Sequence, residues 1–107
     1  MASLAIGAHY GVASAADAIA VKLSDNPGQE PYAAIIGAFE WVIGAASKSG
    51  KPSIETVSFT VRANDVLDEA VNAVIAAGIH VTAPAGNYHT DACDSSPGLS
   101  ELIYIER

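Results

Sequence analysis

The residues best placed to do chemistry lie between His80 and Pro97, in the run HVTAPAGNYHTDACDSSP. An apolar segment (Ile79, Val81, Ala83, Ala85) gives way to Gly86-Asn87 and then to a polar loop, which is how a buried strand delivers a side chain to a surface. Asn87 is that side chain, at the kind of strand exit where open α/β sheets gather ligand and catalytic groups. A carboxamide held there can donate a hydrogen bond to a developing oxyanion. Asn after Gly is also an ordinary turn former, because it tolerates left-handed backbone and bonds its own chain.

The same loop offers two other chemistries. Cys93 is a candidate nucleophile with His89 or His80 as its base, but no third residue is placed by sequence to orient either histidine. A structural loop cysteine left unpaired is the simpler reading. His89, Asp91, Cys93, Asp94 and Glu101 are possible metal ligands, yet their spacing fits neither a zinc pattern nor an EF-hand. His9 and His80 read as a surface residue and a strand-end residue.

The elements that would position this loop can be read from periodicity. Residues 1–16 are small and Ala-rich, with at most one short helix. Ala18 to Leu23 (AIAVKL) is a brief apolar run closed by Ser24-Asp25-Asn26-Pro27-Gly28, and it reads as a strand ended by a turn. Pro31 suits the first turn of a helix. Ile35, Ile36, Phe39, Val42, Ile43 and Ala46 follow at helical spacing, with Glu40 and Trp41 off the stripe, and Ser49-Gly50 and Pro52 close the element.

Ile54 to Val61 (IETVSFTV) is rich in β-branched residues and reads as a strand. Asn64 is an N-cap candidate for a helix carrying Leu67, Ala70, Val71, Val74 and Ile75, with Asp65, Asp68 and Glu69 where the helix dipole favours them. Gly78 closes that helix. Ile79 to Ala85 is the next strand, and Leu102 to Ile105 (LIYI) is a further candidate. Strands alternating with helices imply βαβ units and a parallel sheet. The expected architecture is one α/β domain over residues 1–107, with about four strands and two main helices.

With these elements in place, the chain resembles the subtilisin-like serine proteases of the proteinase K branch. The resemblance rests on Pro84-Ala85-Gly86-Asn87 followed by Asp91-Ala92-Cys93-Asp94-Ser95-Ser96-Pro97, which match a strand ending in AAGN and a loop of the form N-x-D-A-C-x-x-SPA. Tyr10-Gly11-Val12-Ala13 and Ala20-Val21-Lys22-Leu23-Ser24-Asp25 match more weakly an upstream YGVA segment and a GVKVL-D-x-G strand. The resemblance implies a partial three-layer subtilisin-like fold. It implies that Asn87 corresponds to the side-chain donor of the oxyanion hole. It also implies that Ser58, Phe59 and Thr60, with Ala85 and Gly86, correspond to the strands that flank bound substrate. Where the family has S-L-G-G, this chain has Ser58-Phe59-Thr60-Val61, and side chains at Thr60 and Val61 obstruct the approach of a peptide backbone.

The family's catalysis needs Asp, His and Ser in that chain order. No HGTH or GTS motif occurs in these 107 residues, and all three positions fall outside the matching slice. Family members often bind calcium through carbonyls after the SPA motif and a downstream Asp; here the proline of the family's SEP turn is Leu102, and no cofactor is expected.

Composition bounds the partners. The chain has 107 residues, a net charge of −7 and only five Lys and Arg, so it lacks the basic footprint that nucleic acid or an anionic membrane surface requires. No apolar run approaches the ~20 residues of a spanning helix. The first residues lack the basic segment of a cleavable signal peptide, so the chain as written reads as cytoplasmic, although the resembled family is mostly secreted. One cysteine cannot form an internal disulfide.

The expected function is therefore a non-catalytic subtilisin-like module that acts by binding or self-association. A homodimer or a protein partner would cover the edges that a truncated sheet exposes. Two alternatives stay open: a fragment of a secreted subtilisin-like serine endopeptidase that needs further segments for activity, or an independent hydrolase using Cys93 or a serine.

Overall fold

The computed structural model describes residues 2–26, 28–98 and, for backbone pairing only, 104–106. Three parallel strands form the main sheet in the order β1 (Ile54–Thr56), β3 (His80–Pro84), β5 (Tyr104–Glu106). Ile54 pairs with His80 and Thr56 with Thr82, while Thr82 pairs with Tyr104 and Pro84 with Glu106. A separate antiparallel pair joins β2 (Val61–Arg62) to β4 (Ser95–Ser96). The helices are α1 (Ala2–Ile6), α2 (Tyr32–Ser49) and α3 (Asp65–Ala76), with a single 3-10 turn over Ala92–Asp94.

Both main helices begin and end where their residues dictate. Pro31 sits in extended backbone at the N-cap of α2, and Gly50 closes it in left-handed conformation. At the start of α3 the Asn64 side chain accepts the Leu67 N–H at 3.0 Å, and Asp65 and Asp68 lie in the first turn. At its end Gly78 takes a φ of +83°, which lets its N–H reach the Ile75 carbonyl and the Ile79 N–H reach the Val74 carbonyl. That pair of bonds is a Schellman closure, and it turns the chain straight into β3.

The core lies between the sheet and the two helices. Ile35 and Phe39 of α2, Leu67, Val71 and Val74 of α3, and Val57, Ile79, Val81 and Ala83 of the sheet region are all buried. Burying each larger one contributes about 1.5–3 kcal/mol. Alternation along β3 aims Val81 and Ala83 at this core, while His80 stays exposed and Thr82 half-buried. Ile54 and Thr56 on β1 are also exposed, so helices cover one face of the sheet among the described residues.

The α/β parallel architecture agrees with the sequence, and three details differ. Ala18–Leu23 joins no strand, so the parallel sheet has three strands rather than about four among the described residues. A short apolar run holds as a strand only where a neighbour takes its backbone bonds, and here Ile19 and Val21 remain 70% and 40% exposed. The IETVSFTV run splits. The Val57 N–H still donates to the Thr82 carbonyl, but residues 58–60 leave that ladder so that β2 can meet β4. The final strand covers Tyr104–Glu106, while residues 102–103 of the expected segment lie outside the described residues.

Candidate functional site at the exit of β3

Asn87 lies three residues past the end of β3, exposed, and opens a bend directly after Gly86. Gly86 has a φ of +89°, which a side chain would strain, and so the residue before Asn87 is glycine for a backbone reason. Because β1 and β3 run in parallel, the chain after β1 continues beside the end of β3. There the Thr60 Oγ1 lies 3.9 Å from the position a Gly86 Cβ would occupy. The structure thus brings Thr60 alongside Gly86, on the two chain segments that carry Ser58 and Phe59 and, opposite, Ala85 and Asn87. Phe59, Thr60 and Ala85 are half-buried, and Ser58, Gly86 and Asn87 are exposed. The geometry leaves an accessible carboxamide at the strand exit.

The nucleophile candidates are less favourable. Cys93 is an exposed free thiol whose backbone N–H is held by the Asp91 carboxylate at 3.0 Å. The hydrogen bond to Asp91, its charge, and more weakly the charge of Asp94 raise the thiol's pKa, while the bonds from Cys93 lower that of Asp91. A raised thiol pKa leaves less thiolate to attack. His89 is exposed in the same loop with a φ of +55°, His80 is exposed on β3, and His9 stacks edge-on against Tyr10.

Ser96 is wholly buried and therefore closed to substrate. Its hydroxyl donates to Asp68 Oδ2 at 2.8 Å and accepts the Asn64 N–H at 2.8 Å. This link fastens β4 and the end of the Asn87 loop to the start of α3. Sequence reading explained Asp68 by the helix dipole alone, yet its position between Leu67 and Val71 put it inside the apolar stripe, and it is buried. The Ser96 partner carries no comparable signal.

Glu55 was also missed. On β1 it shares the parity of Val57, the residue just after the strand, and so turns inward; burial pushes its carboxyl up to about 7, and its Oε2 is buried without a hydrogen-bond partner. A cleft of about 340 Å³ lies elsewhere, between the ends of α2 and α3 and the start of β1, where Ile43, Lys51, Ser53 and Ile79 line it. It does not include Asn87.

No group of three or more His, Cys, Asp or Glu able to hold a metal occurs among the described residues. Glu101 and residues 99–103, which follow the SPA-like motif where family members often bind calcium, lie outside them. Among the described residues no helix is long and apolar enough to cross a membrane.

Known proteins place this arrangement. No family model matches the chain. It is 35% identical over 98 residues to Subtilisin-like protease 10 of Trichophyton verrucosum, covering 90% of this chain and 19% of the relative. It is 35% identical over 106 residues to the Subtilisin-like serine protease Pen c 2 of Penicillium citrinum, covering 89% of this chain and 23% of that protein. Its fold matches the crystal structure of a cold-adapted subtilisin-like serine proteinase with a TM-score of 0.79 and 32% identity, over 87% of this chain and 33% of the other. The chain therefore spans a fifth to a third of the relatives it matches. By sequence and by fold it is a homologue of the subtilisin-like serine proteases of the proteinase K type, matched over a part of their length.

Proposed function

We propose that this chain is a non-catalytic subtilisin-like module that works by self-association, through the outer edge of β1. The observation that carries the reading is that edge. β1 pairs only with β3 among the described residues, and Ile54 on it is 70% exposed. Unpaired backbone beside exposed apolar surface favours addition of a strand from a second copy. The chemistry of the β3 exit supports the non-catalytic part. Asn87 offers a donor, while Cys93 is held towards the thiol and Ser96 is buried. A donor without an activated nucleophile supplies binding rather than turnover.

Sedimentation of the purified chain tests self-association, with a dimer expected at high concentration. Covalent probes directed at serine and thiol nucleophiles, run beside peptide and ester substrates, test the absence of turnover. Activity abolished by one substitution in this chain would refute the reading.

A second reading, a fragment of a subtilisin-like serine endopeptidase, draws support from the match to only a third of a solved protease. Adding segments that carry the DTG, HGTH and GTSM motifs would then generate peptidase activity, and failure of every such combination would count against it.

A further inference from the structure

Glu55 stands in the middle of the strand whose outer edge is open, and its Oε2 is buried without a hydrogen-bond partner. Among the described residues, the elements around it supply no donor. On β3 its register partner is Val81, while His80 pairs with Ile54 on the opposite face, and β5 lies on the far side of β3. α2 turns apolar side chains such as Ile35, Phe39 and Ile43 to the core, and its Glu40 and Lys48 are exposed. On α3 the buried charge is Asp68, which accepts the Ser96 hydroxyl, and Asp65 and Glu69 are exposed. Lys51, before the strand, is exposed and paired with Asp17. The remaining direction is the open edge.

The backbone of that edge limits how a second copy can add to it. The Ser53 carbonyl accepts the His80 N–H and the Val57 N–H donates to the Thr82 carbonyl, so residues 53, 55 and 57 turn their backbone groups toward β3. By alternation the N–H and C=O of Ile54 and Thr56 point outward. An antiparallel pair of β1 strands about a two-fold axis can centre on one of three residues. Centred on Ile54, it sets Thr56 against Pro52, which has no N–H. Centred on Thr56, it sets Ile54 against Ser58, beyond the end of the strand. Centred on Glu55, it bonds Ile54 of each copy to Thr56 of the other. The two Glu55 side chains then form a non-hydrogen-bonded pair on one face, with Cβ atoms about 4.5–5.5 Å apart.

We propose that two copies of this chain join edge to edge through β1 about a two-fold axis at Glu55, and that the two Glu55 carboxyls share a proton across it. The inference rests on the self-association reading above and names its register and its regulation. The shared proton supplies the partner that the buried carboxyl lacks in the single chain, and two carboxylates so close in an apolar layer do not both stay ionised. Burial alone pushes the carboxyl up to about 7 in the single chain, and pairing moves loss of the shared proton higher. Above that pH, forming the dimer takes up a proton from solvent. The contribution to association is therefore fully present below the single-chain value and is lost as pH rises through the value in the dimer.

Sedimentation of the full chain at about pH 6 and about pH 9, with Glu55→Gln beside wild type, tests the shared proton. Wild-type association should weaken at least about tenfold between the two, while Glu55→Gln, whose paired amides bond without an added proton, should associate equally at both. A wild-type dimer indifferent to pH overturns the inference and leaves self-association standing, as does a Glu55→Gln chain that keeps the pH dependence. No dimer of either protein at either pH overturns self-association as well. The register has its own check. Glu55→Cys in a Cys93→Ser chain should cross-link into a covalent dimer on mild oxidation, because the spacing of such a pair suits a disulfide. Absence of that cross-link where wild type dimerises overturns the two-fold centre at Glu55.

Discussion

The Ser96 hydroxyl donates to the Asp68 carboxylate at 2.8 Å from a position with no solvent exposure, and the same oxygen accepts the Asn64 backbone N–H. One hydroxyl thus joins the start of α3 to the end of the Asn87 loop. Ser96→Ala removes both bonds inside a low-dielectric site. We expect a loss of about 2 kcal/mol, the range for a hydrogen bond to a charged group. Denaturant unfolding measures it, and a change under ~0.5 kcal/mol in Ser96→Ala would show the link to be incidental.

Glu55 makes stability depend on pH in a fixed direction. Its folded carboxyl titrates near 7, above its usual value of 4.5, so the folded chain retains a proton that the unfolded chain has released. The contribution is fully present below the unfolded value and is lost as pH rises through about 7. Glu55→Gln should therefore gain on wild type between pH 5 and pH 8. The gain is on the order of 1–2 kcal/mol once partial solvent screening is allowed for. Parallel denaturation curves at the two pH values would show no such divergence if Glu55 were solvated.

Asp91 and Cys93 set the reactivity of the loop thiol. Asp91→Asn removes the charge and weakens the bond that hold the thiol protonated, so iodoacetamide should modify Cys93 roughly threefold faster or more at neutral pH. Mass spectrometry of timed samples reads the rate. An unchanged rate would separate the carboxylate from the thiol.

Glycines split by backbone need. Gly78 holds a φ of +83° in the closure of α3, so Gly78→Ala should cost about 1 kcal/mol. Gly37 lies inside α2 with open space where a Cβ would stand, so Gly37→Ala should stabilise by about 0.5–1 kcal/mol. Thermal midpoints moving in the same direction would contradict the assignment.

The pattern of these residues explains what was readable beforehand. The helices were legible because Ile35, Phe39, Leu67, Val71 and Val74 recur at helical spacing between strong end signals, Pro31 and Gly50 for α2, Asn64 and Gly78 for α3. β3 and the Asn87 exit were legible for the same local reason: an apolar alternation broken at Gly86-Asn87. The fate of Ala18–Leu23 was not, because a strand needs a neighbour and no residue inside that run encodes one. The Ser96–Asp68 link spans 28 positions and stayed hidden for the same cause.

The Schellman turn at Gly78 has a further bearing on how the molecule assembles. It lets β1, α3 and β3 close within 26 positions, from Ile54 to its partner His80, so the chain's central third can order through short loops before either end commits. The buried face of α2, Ile35 and Phe39, then packs onto a unit whose own connections are short, so changes in the first fifty residues are felt at that face before they reach the β3 exit where Asn87 stands.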